Sequence, residues 1–190
     1  MKTLTISLLI LLSIVIPVSS QTHLKLNLPT SLLLAPQVGL ETKISDNLTY
    51  QVDMMGSFWE SFNGISFKIG MLSNDLRYYP DDNLKGFYFG PSLGFAGYPK
   101  IQKKRYWHRP IYQEGWAILM GGTLGYVWEL NEKWSLDLFA GGGFIQSFNI
   151  HRSTLTHERL DKPSKPGGVW DKSGEWVAPY RGGLMLSLKL

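Results

Sequence analysis

The chain has 190 residues, 13% of them aromatic, and no cysteine, so a disulfide framework and a cysteine-linked lipid anchor are both excluded. Its formal charge of +4 is too modest to indicate nucleic-acid binding. Beyond the first 20 residues, no stretch approaches the roughly 18 consecutive apolar residues that indicate a transmembrane helix.

The first 20 residues have the pattern of a secretory signal peptide. Lys2 supplies a positive charge, residues 4–16 form an apolar core, and Pro17 ends that core before the small residues at 18–20. The apolar run is shorter than the roughly 20 residues that cross a membrane. We therefore expect a cleaved Sec-type signal peptide at residues 1–20 and one domain at residues 21–190.

The remaining chain is expected to be all-β, because apolar and polar residues alternate with a period of two. Eight segments keep this alternation: 22–31, 36–44, 48–59, 66–79, 86–99, 114–130, 133–148 and 176–190. In the last segment every second residue from Leu184 to Leu190 is leucine, which places hydrocarbon on one face of the strand.

The connections between these segments alternate in length. Short connections rich in turn-forming residues occur at 45–47, 80–85 and 131–132. Longer connections occur at 59–65, 100–113 and 149–175. Short turns at one end and long loops at the other are typical of outer-membrane β-barrels, with the turns in the periplasm and the loops outside.

One face of the predicted strands is apolar, and its tyrosine and tryptophan rings gather toward the strand ends. Tyr78, Trp116 and Trp128 are examples, and amphipathic rings at such positions suit a lipid headgroup zone. We therefore predict an eight-stranded antiparallel up-and-down transmembrane β-barrel with an OmpA/OmpX-like architecture, from a Gram-negative cell envelope.

The opposite face is polar or small. Its charged members, predicted to form a polar network in the lumen, are Lys25, Glu41, Asp53, Asp75, Arg77, Glu129, Asp137, Arg181 and Lys189. With Lys43 on the same face, acids and bases are balanced. An eight-stranded barrel is just wide enough for its own side chains, and an unpaired charge there is costly. The sequence therefore favours interlocked ion pairs, and a proton or ion path is the alternative.

The connection at 100–113 is basic and aromatic. The residues predicted to form a glycolipid-binding loop are Lys100, Lys103, Lys104, Arg105, Trp107 and Arg109. At the outer leaflet the basic side chains of such a loop could bind the phosphate groups of lipopolysaccharide. The alternative is a solvated loop whose charge only maintains solubility.

The connection at 149–175 contains His151, Ser153 and His157, the residue types used in nucleophilic catalysis. Small outer-membrane barrels that modify lipid A use serine and histidine, so an enzyme is an alternative. The prolines and glycines in this connection indicate a loop rather than a rigid frame, and no further ligand cluster accompanies the two histidines. We expect no catalytic residue, no metal and no cofactor.

Four short motifs follow one another along the chain: Lys-Leu-Asn-Leu at 25–28, Gly-Leu-Glu at 39–41, Asp-Leu-Arg-Tyr-Tyr at 75–79 and Gly-Tyr-Val-Trp at 125–128. In this order they resemble a domain-of-unknown-function family of small outer-membrane β-barrels from Bacteroidales-type bacteria, over most of residues 24–148. The resemblance implies an outer-membrane barrel, related in context to fimbrial and adhesin-type proteins. It implies no established activity and no catalytic residues.

The sequence thus predicts a non-enzymatic outer-membrane β-barrel with a structural or interaction role that displays loops to the outside. Its expected partners are outer-membrane lipid and lipopolysaccharide, the outer-membrane assembly machinery, and a surface appendage, adhesin or host ligand. Three alternatives remain open from the residues: a lipid-A modifying enzyme, a soluble secreted β-barrel with a ligand cavity, and a small diffusion pore.

Overall fold

A computed structural model describes residues 22–57, 59, 61–62, 65–81, 84–102, 111–160 and 171–190. The predicted signal peptide lies outside these residues, as do residues 103–110 of the basic connection and 161–170 of the histidine-containing connection. No helix within the described ranges has the length and apolar character needed to cross a membrane.

The described residues form nine strands and one short helix. The strands are β1 (Thr22–Asn27), β2 (Gln37–Ser45), β3 (Leu48–Gly56), β4 (Ser61–Phe62), β5 (Ile65–Tyr78), β6 (Gly86–Ile101), β7 (Ile111–Glu129), β8 (Trp134–Ser153) and β9 (Asp171–Lys189). The helix α1 (Leu28–Leu32) lies between β1 and β2. The two-residue β4 pairs with one end of β5.

Eight of these strands close into one antiparallel ring. The order along the sheet is β3-β2-β1-β9-β8-β7-β6-β5, and an additional pairing of β3 with β5 joins its two ends. Each strand therefore pairs with its neighbours in sequence, and β1 pairs with β9. The predictions of an all-β fold and of eight antiparallel strands are confirmed.

The ring has two distinct ends. The short connections after β2, β5 and β7 lie at one end, called here the turn end. The first and last strands also meet there, where the amide of Leu190 donates to the carbonyl of Thr22 at 2.9 Å. The opposite end, called the loop end, carries the connections after β1, β3, β6 and β8.

The predicted first strand at 22–31 is wrong in its second half. β1 ends at Asn27, and residues 28–32 form α1 with Pro29 in its first turn. Proline lacks a backbone donor and has a fixed φ, so it suits the start of a helix and interrupts a strand ladder. The hydroxyl of Ser31 donates to the carbonyl of Asn27 at 2.6 Å, which ties the helix to the end of β1.

The last three strands run further than their alternation predicted. β7 begins at Ile111 instead of 114, β8 ends at Ser153 instead of 148, and β9 begins at Asp171 instead of 176. Backbone pairing continues where alternation of side chains has stopped, from Ile111 opposite Ser153 along the whole of β7 and β8. A ladder depends on backbone hydrogen bonds, so it can extend along the chain beyond the residues whose side chains alternate.

The wall of the ring is uneven at the loop end. The ladder between β1 and β9 stops at Asn27 opposite Met185, because the chain turns into α1. On its other side β9 stays paired with β8 as far as Asn149 opposite Asp171. Within the described residues, the loop-end part of β9 therefore has a strand on one side and α1 against the other.

Candidate functional site

Seven charged side chains converge inside the ring. They come from β1, β2, β3, β5, β8 and β9, and each is buried: Lys25, Glu41, Asp53, Asp75, Arg77, Asp137 and Arg181. All seven were placed on the inward face by the sequence pattern. The strands bring them into two clusters, one nearer the turn end and one nearer the middle of the ring.

The cluster nearer the turn end is organised by Asp137 of β8. Its Oδ2 accepts from Nζ of Lys25 at 2.6 Å and from Nη1 of Arg77 at 2.7 Å, and its Oδ1 accepts from the hydroxyl of Tyr88 at 2.7 Å. Lys25 also pairs with Glu41. One carboxylate thus joins two cations that arrive from β1 and β5, across the interior of the ring.

Tyrosines complete this cluster. The hydroxyl of Tyr79 donates to Oε1 of Glu41 at 2.9 Å, and the guanidinium of Arg77 lies 4.4 Å from the ring centroid of Tyr88. Both tyrosines belong to a buried apolar group with Phe139 and Met185. The two hydroxyls therefore bond the carboxylates of Glu41 and Asp137, and the rings fill the space around them.

The second cluster surrounds Arg181 of β9. Its guanidinium pairs with Asp75, and its Nη1 lies 3.2 Å from Oδ2 of Asp53. Three hydroxyls accept from the same guanidinium: Ser73 at 3.1 Å, Ser92 at 3.1 Å and Thr123 at 2.6 Å. Arg77 Nη2 lies 3.7 Å from Asp75 Oδ2 and links the two clusters.

Glycines provide the space for these groups. A Cβ on Gly39 would lie 2.1 Å from Oδ1 of Asp53, and one on Gly125 would lie 2.5 Å from the hydroxyl of Tyr88. No side chain can be accommodated at such distances without displacement of the neighbour. The absence of a side chain at these two positions therefore permits the salt-bridged arrangement.

Two predicted members of the lumen set lie elsewhere. Glu129 and Lys189 are exposed at the last residues of β7 and β9, at the turn end. Glu129 forms a half-exposed ion pair with Lys85 instead. The alternation of a strand fixes which face a residue occupies but not its depth, and the strand ends lie beyond the interior.

The hydrogen-bonding partners of the clusters were missed by sequence reasoning. Tyr79, Gln51 and Thr123 were not named as site residues, although each bonds a buried charged group. Their inward position could have been derived from the same alternation that located the charges. The partners of Tyr79 and Thr123 could not, because they depend on the register of strands far apart in sequence, whereas Gln51 bonds Asp53 two residues along the same strand.

The predicted glycolipid-binding loop is only partly described. Lys100 lies near the end of β6, with Nζ 5.7 Å from the ring centroid of Tyr112. Lys103, Lys104, Arg105, Trp107 and Arg109 lie outside the described residues. Lys100 is therefore the one member whose position at the loop end is defined.

The serine and histidines considered for catalysis have separate local partners. Nε2 of His151 lies 2.7 Å from Nε2 of Gln113, and Nδ1 of His157 lies 3.3 Å from the hydroxyl of Tyr112. The hydroxyl of Ser153 accepts from two backbone amides in the turn that follows β8. Within the residues that are described, no group of three or more metal-binding side chains occurs.

The outer surface of the ring has the opposite character to its interior. Large apolar side chains are exposed there on every strand of the ring. They include Leu24, Leu26, Val38, Leu40, Met54, Leu76, Tyr78, Phe87, Phe89, Leu93, Phe95, Met120, Leu124, Tyr126, Trp128, Trp134 and Leu138. In β9 the exposed one is Trp176, whereas the leucines of its turn-end part are half-buried. The molecule thus buries charge and exposes hydrocarbon, which reverses the usual arrangement of a globular protein in water.

The family comparison matches this chain over residues 4–163 to a family described as protein of unknown function, DUF3575. The chain belongs to this family. The match confirms the resemblance to a domain-of-unknown-function family that the four short motifs indicated. No curated protein and no solved structure matches the chain.

Proposed function

We propose that this member of the DUF3575 family is a bacterial outer-membrane β-barrel protein, exported by a cleaved signal peptide at residues 1–20. The exposed apolar band around the closed ring carries this proposal. A closed ring with apolar residues outside and polar residues inside pairs the backbone groups along its ladders and presents hydrocarbon to lipid. In water the same surface would far exceed the few hundred Å² of contiguous apolar area that soluble monomers tolerate.

The height of the band supports a membrane-spanning role. Outward aromatic rings lie toward the turn end at Trp128 and toward the loop end at Trp116, which stacks on Phe148 with a centroid separation of 4.0 Å. Along β7 the two tryptophans are twelve residues apart, or about 40 Å at the usual rise. A strand tilt of roughly 35–45° reduces this to about 30 Å, close to the thickness of a bilayer's hydrocarbon core.

The ion pairs that cross the interior support a structural or interaction role over a pore. Buried ion pairs cross the lumen from β1, β2, β3, β5, β8 and β9, so side chains occupy the space through which a solute would pass. The loop end then provides the accessible surface. We propose outer-membrane glycolipid and a surface appendage, adhesin or host ligand as partners there, with basic residues such as Lys100 meeting phosphate groups.

A matched pair of arginine substitutions tests the membrane proposal. Leu93 is 54% exposed in the middle of β6, and Leu155 is 80% exposed in the turn after β8. Leu93→Arg should lower the free energy of unfolding in bilayers by about 2–4 kcal/mol, because it places a charge in hydrocarbon. Leu155→Arg should have an effect below about 0.5 kcal/mol, because it lies outside the band.

The measurement is urea-induced loss of the fast-migrating folded band on an unheated SDS gel, after isolation of the outer-membrane fraction. Boiled samples supply the unfolded reference. If both variants behave as the parent does, or if the parent protein remains in the soluble fraction, the outer-membrane proposal is wrong. Ligand binding by a soluble secreted β-barrel then becomes the favoured function.

A further inference from the structure

The loop-end half of the interior contains a cavity that the charged clusters do not fill. Its volume is about 410 Å³, within the range of small-molecule sites. Its walls are largely apolar: Met55, Ile69, Met71, Ala96, Leu119 and Ile145. Arg181 lies at its boundary with the charged clusters. A cavity of this size and composition can hold a hydrocarbon chain.

The same cavity reaches the uneven part of the wall. Thr30 of α1 and Glu175 and Gly182 of β9 also line it. These residues flank the place where β9 continues beyond the end of its ladder with β1. The cavity therefore extends to the boundary between α1 and β9 in the side of the ring, where the β1–β9 ladder has already ended.

The surface beside this boundary is strongly apolar. Leu32, Leu33 and Leu34 follow one another at the end of α1 and are each more than 60% exposed, and Trp176 of β9 is 81% exposed. In the proposed membrane orientation these side chains meet lipid near the outer leaflet. A lipid chain that enters between α1 and β9 would pass Thr30, Glu175 and Gly182 before it reaches the apolar wall of the cavity.

Two buried donors in the cavity wall have no acceptor within the described residues: Nε2 of Gln37 and Nε of Arg181. Gln37 is 1% exposed and lines the cavity, and its Oε1 accepts from Nδ2 of Asn27 at 2.8 Å. Its Nε2 makes no hydrogen bond within the described part of the chain. A buried amide without a partner costs free energy, so an oxygen acceptor on a ligand would be recognised there.

The net charge of the buried groups favours an uncharged ligand oxygen over a carboxylate as the acceptor for Gln37. Among the described residues the seven buried charged side chains comprise four carboxylates and three cations. A ligand carboxylate would add to the excess of negative charge in a site with little water. An uncharged carbonyl, as in an ester or amide, would satisfy Gln37 without that cost.

We propose that this cavity binds one acyl chain of an outer-leaflet lipid. The chain enters between α1 and β9, lies against the apolar wall, and its ester or amide carbonyl accepts from Nε2 of Gln37. This site rests on the proposed membrane location. It adds a lipid-binding function to what would otherwise be a closed structural ring.

Native mass spectrometry of the folded protein in a cyclohexyl-tailed detergent tests the site. The probes are 1-palmitoyl-lysophosphatidylcholine, which carries an ester carbonyl, and palmitate, which carries a carboxylate. We expect one bound lysophosphatidylcholine per protein and at least about tenfold weaker binding of palmitate. Equal binding of the two probes would overturn the role of the carbonyl, and no binding of either would overturn the site.

Two alanine-to-phenylalanine variants provide a matched comparison. Ala96 lines the cavity and is 5% exposed, so Ala96→Phe should fill the space and abolish binding. Ala140 faces the outside of β8, so Ala140→Phe should bind as the parent does. Equal retention of binding by both variants, or equal loss, would contradict the location of the site.

A third variant keeps the test valid if Ala96→Phe does not fold. Gln37→Met retains the side-chain length but removes both the Nε2 donor and the Oε1 that accepts from Asn27. It should weaken lysophosphatidylcholine binding about tenfold while palmitate binding changes little. Unchanged lysophosphatidylcholine binding would exclude Gln37 as the carbonyl donor. Folding is checked for every variant by the heat-dependent shift on an SDS gel, which also reports separately on the membrane proposal.

Discussion

The interior of the ring differs between the half near the turn end and the half near the loop end. In the turn-end half, Asp137, Lys25, Arg77 and Glu41 form a continuous set of buried ion pairs inside a complete wall. In the loop-end half, apolar side chains surround a cavity, and the β1–β9 ladder has already ended. We infer that the ion pairs of the turn-end half stabilise the ring, and that the cavity of the loop-end half is the part in which a ligand could bind.

The largest expected effect comes from breaking the turn-end cluster. Arg77→Met removes a cation that lies 2.7 Å from Asp137 and leaves the surrounding carboxylates undercompensated. Loss of one partner from a buried ion pair costs about 3–5 kcal/mol. We expect a decrease of that size in the free energy of unfolding, measured by urea titration in lipid vesicles. A decrease below about 1 kcal/mol would show that the cluster does not stabilise the ring.

A smaller effect is expected from adding one methyl group in the turn-end half. Gly125→Ala would place Cβ 2.5 Å from the hydroxyl of Tyr88 and displace it from Asp137. We expect a loss of about 1–3 kcal/mol in the same titration. Gly97→Ala is the matched control in β6, since a Cβ there would meet nothing within 4 Å. A control as damaging as Gly125→Ala would show that the loss does not come from displacement of the Tyr88 hydroxyl.

The two halves should also differ in backbone protection along a single strand. β9 is paired on both sides from Met185 to Leu188, but with β8 alone among described strands nearer the loop end. Amides of residues 172–178 should exchange with deuterium about tenfold faster than those of residues 185–188. Hydrogen exchange with mass spectrometry in lipid vesicles measures both. Equal rates would mean that the loop-end part of β9 has a second partner.

The smallest effect is expected at the rim of the turn end. Lys85 pairs with Glu129, and both side chains are close to half exposed. Exposed ion pairs contribute about 0–1 kcal/mol. Lys85→Ala should therefore change the free energy of unfolding by less than about 1 kcal/mol, in contrast to Arg77→Met. A loss comparable to that of Arg77→Met would place the rim pair within the stabilising network.

The sequence predicted the parts of this fold that depend on a period of two. Alternation predicts the eight strands and their apolar outer faces. It also predicts the inward position of Arg77 and Arg181. Depth does not follow from it, which is why Glu129 and Lys189 were misplaced. The helix at Leu28–Leu32 was missed because its leucines suit a strand as well as a helix, although Pro29 indicated a break.

The features that depend on the whole ring could not be predicted. The bond from Tyr88 to Asp137 joins β6 to β8, and the cavity wall joins β3, β5, β6, β7 and β8. Such contacts require the register of each pair of strands in succession. Strand lengths at the loop end were equally inaccessible, because Ile111 and Asp171 belong to ladders that continue without apolar alternation.

Whether the ring crosses a membrane can be tested directly by site-specific labelling, because the chain contains no cysteine. Single cysteines at Leu93, Leu124 and Leu138 on the outer face, and at Glu132 and Leu155 at the two ends, would each carry a fluorescent label in lipid vesicles. We expect lipids brominated on their acyl chains to quench the first three labels, and aqueous iodide to quench only the last two. Quenching of the outer-face labels by iodide, with no effect of brominated lipid, would contradict a ring that crosses the membrane.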